Sequence, residues 1–221
     1  MNVTAAIVNY GTPELTRQAV WSLRSLYPEL PIHVLDNASP DRSSDLLEAL
    51  SDEVQLFRLT RSSRNLHHGP GLDLVIRASE SRWILSFDSD SLAYRHGFLE
   101  RMVELAESED AYLVGHLLHV DVHGYPPESI DQQVYPYVHP HCALLRRSTY
   151  LELPPFEKHG APCLTNQLAA SERGERMVDF PVRDYVFHLG RGTVRMHGYR
   201  LGPRGWFHQL RHYVRRVLIR L

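Results

Sequence analysis

From residue 3 to about residue 90, short apolar runs alternate with stretches of helical periodicity, and this alternation is the pattern of a parallel sheet covered by helices. Residues 4–9 read as a first strand. Pro13 stands where a helix begins, behind Thr12 as its N-cap, and Leu15, Ala19, Leu23 and Leu26 recur at helical spacing up to Pro28. Residues 31–35 form a second strand ending in Asp36-Asn37, and Ser39-Pro40-Asp41 opens a helix through Leu50. Residues 54–59 read as a third strand. Gly69-Pro70-Gly71 predicts a break before a helix over 72–78, and the apolar run 83–87 is a buried fourth strand that delivers Asp88.

Beyond residue 96 the pattern changes to a helix near 97–108 and a strand near 112–116. A loop-rich stretch follows over 121–140, holding Pro126, Pro127, Pro136 and Pro140, and it reads as an excursion that shapes a substrate site. A chain of 221 residues accommodates one sizeable α/β core. The reading is therefore one domain over 1–204, in two halves at 1–95 and 96–204, followed by a distinct tail at 205–221. With 24 basic against 26 acidic residues there is no charge bias that would make nucleic acid a partner. Cys142 and Cys163 stand in no zinc or redox spacing, and the N-terminus shows neither a basic n-region nor a long apolar one, so a reduced, cytoplasmic protein is expected. No run of about 18 apolar residues suggests a membrane span.

In open α/β sheets ligands bind beyond the carboxyl ends of the strands, where Asp88 and Asp90 would lie. Their alternate spacing lets both carboxylates approach one hard cation, magnesium or manganese, that could bridge the phosphates of a nucleoside diphosphate. The plainer alternative is that Asp88-Ser89-Asp90-Ser91 forms a polar turn. Asp36 follows the second strand in the same way and could accept hydrogen bonds from a ribose or a base, or could equally make an Asx-turn before Ser39-Pro40. No GxGxxG or GxxxxGK[ST] occurs, which disfavours dinucleotide dehydrogenases and P-loop enzymes.

At this point the residues carry a resemblance to glycosyltransferase family 2. The stretch 6–16 resembles that family's first strand and turn, and 34–41 its second strand with the nucleotide-contacting aspartate. Residues 64–73 resemble the loop and helix beside the donor, and 84–90 the strand with the metal-binding triplet. Further on, 142–148 is similar to the strand after the acceptor loop, and Val186-Phe187-His188-Leu189-Gly190-Arg191-Gly192-Thr193 to the late segment whose histidine completes the metal site. The resemblance implies a GT-A fold, an α/β/α sandwich with a mainly parallel central sheet. It implies transfer of a sugar from a nucleotide-diphosphate donor, most often a UDP-sugar, to a hydroxyl of a glycan, polysaccharide or lipid-linked acceptor, with inversion. It further implies donor contacts at Val8, Asn9, Asp36, Asn65 and Asp88, and a Mn2+ or Mg2+ ion held by Asp88, Asp90 and His188.

The chain departs from the family where inverting members carry a carboxylate base. The corresponding stretch, 155–166, has no carboxylate between Glu157 and Glu172, which leaves Glu157 as the nearest acid and His159 as the nearest imidazole, with Asp121 and Asp131 as rivals. A nucleotide-sugar-binding module without catalysis, and a sugar-phosphate nucleotidyltransferase, are the alternative readings. In the tail, Leu210, Val214, Val217, Leu218 and Leu221 share one helical face, with Arg211, Arg215, Arg216 and Arg220 largely off it. Such a basic amphipathic helix could lie on an anionic bilayer or pack on protein.

Overall fold

All seven residues of β1 (Val3–Asn9) are buried, as are all five of β2 (Ile32–Asp36) and of β4 (Trp83–Phe87), as expected of strands covered on both faces. The computed structural model describes residues 1–41, 43–157 and 161–190. Within it Met1–His188 forms one compact unit. With β3 (Phe57–Arg61), β6 (Ala111–Val120), β7 (Tyr135–Arg146) and β8 (Arg176–Asp179) these strands make a seven-stranded sheet in the order β3-β2-β1-β4-β7-β6-β8. Only β7 runs against the others, being antiparallel to both β4 and β6. The mainly parallel α/β architecture read from the sequence is therefore present.

Helices α1 (Pro13–Leu26), α2 (Ser43–Glu53), α3 (His68–Ala78) and α4 (Phe98–Ser108) cover the sheet, with short α5 (Arg147–Leu151) and α6 (Leu164–Glu172) later in the chain. Two apolar clusters result. One gathers Ala19, Val20, Leu23, Leu47 and Met102 with strand residues such as Ile7 and Leu85. The other gathers Leu72, Val75, Ile76 and Tyr150 with Ala6, Leu35 and Leu145. Helix α3 packs so closely that a Cβ on Gly71 would meet Leu35 at 3.1 Å and Val8 at 3.2 Å.

Four local expectations are corrected. Thr12 stands at the N-cap of α1 but makes no capping hydrogen bond, its hydroxyl turning instead to Asn9 and Ser89. Helix α2 begins at Ser43 because Asp41 accepts the Ser43 N–H at 3.0 Å, holding residues 39–41 outside it. Gly69-Pro70-Gly71 does not precede α3 but forms its first turn, where proline's missing N–H has no helical partner to lose. Pro136 and Pro140 lie inside β7, which shortens the irregular stretch to 121–134. Before Cys142 the β4 register has ended at Phe87↔Cys142, so Pro136 pairs with His119 of β6 alone, and Pro140 falls in the register shift between Val138 and Ala143, where no ladder partner in β6 is present. An edge position of that kind tolerates proline.

A second sheet pairs β5 (Ser91–Ala93) with β9 (Val186–His188), in the register Ser91↔His188 and Ala93↔Val186. It ties a segment from the end of the compact unit to the residues that follow β4. The tail at 205–221, with the boundary expected before it, lies outside the described residues. Among the described residues, no helix is long and apolar enough to cross a membrane.

Candidate functional site

The parallel neighbours β1, β2 and β4 have their carboxyl ends at one edge of the sheet, and each ends on or beside a polar residue: Asn9, Asp36 and Asp88. Ser91 N–H bonds back to the Asp88 carbonyl at 3.0 Å, closing a tight turn that presents Asp88 and Asp90. The β5–β9 register then sets His188 beside them. His188 Nε2 lies 3.1 Å from Asp90 Oδ1 and 3.5 Å from Asp88 Oδ2. One ligand atom from each of Asp88, Asp90 and His188 fits within 4.8 Å of the others, the spacing a single cation needs. The set expected from the sequence is thus brought together from two separate sheets.

Electrostatics single out Asp88. Burial by itself would raise its carboxyl, yet the rings of His188 and His68 hold it well below the usual carboxylate range. His188 is disfavoured as a cation by burial, but Asp88 and Asp90 push it up to about 9. His68 Nε2 stands 3.4 Å from Asp88 Oδ1 and is likewise raised, against its own burial, by Asp88 and then Asp90. Asp88 Oδ1 is buried and meets the His68 ring as an ion pair at 3.4 Å without a hydrogen bond, and a buried anionic oxygen held so loosely is one that a metal ion can satisfy.

His68 was not singled out in the sequence, because the Gly-Pro-Gly run that opens α3 reads as a break. Around it stand further imidazoles. His139 and His141 of β7 join through their Nδ1 atoms at 2.8 Å, and His141 stacks on His188 with centroids 4.6 Å apart. His116, of β6, meets His141 edge-on at 6.2 Å. Burial lowers His139, and it drives His141 down to about 3, with the neighbouring rings adding to the effect. The only hint of the pair in the sequence was the alternation His139-Pro140-His141, hidden in a stretch that reads as loop.

The expected donor-side residues are differently placed. Asp36 is buried and accepts at Oδ1 from Asn9 Nδ2 (3.1 Å) and Ser39 Oγ (2.5 Å), and at Oδ2 from Ser44 Oγ (2.7 Å). Asn9 Oδ1 accepts in turn from Thr16 at 2.8 Å. The Val8 side chain belongs to the core, so only its backbone could reach a ligand. Asn65 is exposed, and its Oδ1 accepts from Asn37 Nδ2 and His67 N–H at 3.1 and 2.7 Å, supporting the loop in which His67 takes a φ of 70°.

On the acceptor side Glu157 is exposed, with its N–H bonded to Pro162 O. His159 lies outside the described residues. Asp121 accepts backbone N–H groups from Tyr125 and His123, which lower its carboxyl, so it organises a turn. Cys163 occupies the N-cap of α6, buried, its thiol pushed far up by burial and then by the charge of Asp88.

Residues 4–132 match Glycosyl transferase family 2. The chain belongs to that family. The fold agrees with solved structures of two further proteins. Mannosyltransferase PcManGT from Pyrobaculum calidifontis, in complex with GDP-Man and Mn2+, is similar with a TM-score of 0.65 at 15% identity, covering 81% of this chain and 55% of its own. TarS 1-349 of S. aureus in complex with UDP-GlcNAc is similar at 0.61 and 14%, covering 84% and 58%. The chain therefore spans a little over half the length of these proteins. No curated protein matches its sequence.

Proposed function

We propose that this chain is a metal-dependent glycosyltransferase that moves a sugar from a nucleoside-diphosphate donor to an acceptor hydroxyl. The observation that carries the reading is the convergence of Asp88, Asp90 and His188 within 4.8 Å at the carboxyl end of the sheet. The donor set of two carboxylates and one imidazole fits Mn2+ or Mg2+, and the manganese in the PcManGT complex favours the former. When bound, the cation would neutralise charge on the departing diphosphate. The chain's own part is to hold the donor against that charge. Asp36 and Asn65 face the nucleoside side, Asp36 keeping one acceptor site beyond its three bonds. A UDP-sugar is the proposed donor, by analogy with the UDP-GlcNAc complex of TarS.

Glu157 is the proposed base that removes the acceptor proton in an inverting displacement. Glu157→Gln is expected to lower kcat by about 10²-fold or more, with little effect on donor binding, and a loss below about threefold would remove it from that role. The acceptor is a glycan, a growing polysaccharide or a lipid-linked sugar. For the last, the basic amphipathic pattern of residues 206–221 would bring the enzyme to an anionic bilayer, and sedimentation with anionic vesicles before and after its removal tests this.

The direct test is nucleotide release from UDP-GlcNAc and from GDP-mannose with Mn2+, in the presence and absence of excess chelator. Release that Asp90→Ala and chelator both abolish supports transfer, whereas undiminished release in chelator excludes metal dependence. Donor at 100 times its dissociation constant should also stabilise the fold by about 2.7 kcal/mol, which detects a binding module that does not turn over.

A further inference from the structure

The three cation ligands come from segments with little hold of their own. Asp88 and Asp90 sit on a turn, and His188 ends β9, a three-residue strand paired, among the described residues, only with β5. So short a ladder does not by itself fix the rotation of a terminal side chain. Two of them nevertheless meet one residue of β7, and the third, Asp90, lies in a turn that the same residue holds. The register Phe87↔Cys142 brings the His141 carbonyl to the end of β4, where it accepts the Asp88 N–H at 3.0 Å. The same carbonyl accepts the Ser91 hydroxyl at 3.1 Å, so it grips both ends of the turn that includes Asp90. Ser91 is in turn the β5 partner of His188, whose ring comes back to lie on His141 at 4.6 Å with 19° between the planes. The circuit from His141 through Ser91 and His188 closes on His141 itself.

The His141 ring is itself held. Residues 139 and 141 project from the same face of β7. His139 Nδ1 faces both the His141 backbone N–H, at 3.4 Å, and His141 Nδ1, at 2.8 Å. Because a backbone N–H can only donate, His139 Nδ1 carries a lone pair, and the proton of the ring-to-ring bond sits on His141 Nδ1. This fixes the tautomer of each ring and stops the His141 imidazole from turning. The bulge that shifts the β6–β7 register at Gly115/Leu117 brings His116 against its edge.

We propose that His141 is the positioning residue of the cation site: its carbonyl fixes the Asp88–Ser91 turn, and its ring, locked by His139, is the shelf that aims His188 Nε2 at Asp88 and Asp90. The proposal rests on the reading that Asp88, Asp90 and His188 hold a divalent cation. It assigns the histidine pair of β7 a function without making either ring a ligand. It also explains why a histidine suits position 141, since phenylalanine could stack but could not be locked, and leucine could do neither.

The test measures Mn2+ affinity by the electron paramagnetic resonance signal of the free ion, using the full chain and Mn2+ alone, with circular dichroism as a check of folding. Since every variant keeps the backbone carbonyl, the experiment isolates the ring. His141→Leu is expected to weaken Mn2+ binding by about 10- to 100-fold, the usual effect of removing a group that orients a metal ligand. His141→Phe should recover most of that loss, and the same order should appear in the visible spectrum of the Co2+-substituted protein. Should His141→Leu not fold, His139→Leu keeps the shelf but unlocks it and should weaken Mn2+ measurably. Wild-type affinity in both leucine variants overturns the proposal. Asp90→Ala separates the two levels: if it loses Mn2+ while the histidine variants keep it, only the role of His141 fails. If wild type binds no Mn2+, or Asp90→Ala binds it equally, the cation reading fails and this proposal with it.

Discussion

Asp36 and Asp88 occupy equivalent places, each at or just past the carboxyl end of a buried parallel strand, yet their surroundings differ in kind. Asp36 accepts three hydrogen bonds from neutral donors, Asn9, Ser39 and Ser44, which knit the loops after β1 and β2 into one piece. Asp88 is flanked by His68 and His188 and leaves Oδ1 without a hydrogen bond. A carboxylate held by three neutral donors already organises structure, with one acceptor site left over. One flanked by imidazoles, with a buried oxygen that makes no hydrogen bond, suits the role proposed for Asp88, that of meeting a positive charge brought by a ligand.

The largest effect that could break this comparison is on turnover. Asp88→Asn keeps the shape of the side chain but removes the charge that a cation would meet, and nucleotide release should fall by roughly 10²- to 10³-fold with the fold intact. Near-normal release would mean that the imidazoles are partnered for structure alone.

The second effect is on stability and should appear in the other region. Asp36→Ala removes an acceptor from the buried Asn9 amide, which keeps only Ser39 Oγ, and from two part-buried hydroxyls, and at about 1–3 kcal/mol for each donor left unpaired a loss of about 3 kcal/mol in urea unfolding is expected. Asp90→Ala, at the edge of the crevice, should cost clearly less in the same measurement. Equal losses would erase the distinction between a structural and a functional carboxylate.

What could be read from the sequence follows the same divide. Three parallel strands, β1, β2 and β4, and the acids behind them were legible because buried strands are apolar runs and Asp88 and Asp90 follow one directly, whereas the half-exposed β3 was placed about three residues too early. His188 came only with the family resemblance, since among fourteen histidines nothing local distinguishes it. His68, His139 and His141 were missed for one physical reason. Glycine and proline were taken as interruptions, whereas a first helical turn has N–H groups to spare and the end of β7 has lost a neighbour. Whether proline breaks an element depends on the partner its N–H would have had, and that is decided by the rest of the fold. The network on Asp36 was hidden likewise, because Ser39 and Ser44 read as turn and helix residues until the loops close on each other.

The smallest effect concerns the protonation of two histidines, one from each region, His33 and His188, whose contributions depend on pH in opposite senses. His33 lies within β2, buried at 3% exposure, with Nε2 2.8 Å from Thr60 Oγ1. Burial, assisted by the charge of Arg58, lowers it from 6.5 to about 4. Between those values the unfolded chain binds a proton that the folded chain refuses, so stability is full above pH 6.5 and falls as the pH drops toward 4. His188 behaves in the reverse sense. Its folded value of about 9 lies above the unfolded 6.5, so its contribution is full below 6.5 and is lost as the pH rises through 9. Urea unfolding in the presence of chelator, from pH 4.5 to 9.5, should therefore show stability declining toward both ends. His33→Gln, whose amide can still meet Thr60, should flatten the acid side by at most about 1.4 kcal/mol per pH unit and leave the alkaline side unchanged. Asp90→Ala should do the opposite, by removing one of the two carboxylates that raise His188. If His33→Gln left the acid limb as steep as in wild type, the acid sensitivity would belong to the histidines around Asp88 instead, and the nucleotide-side region would be the less pH-dependent of the two.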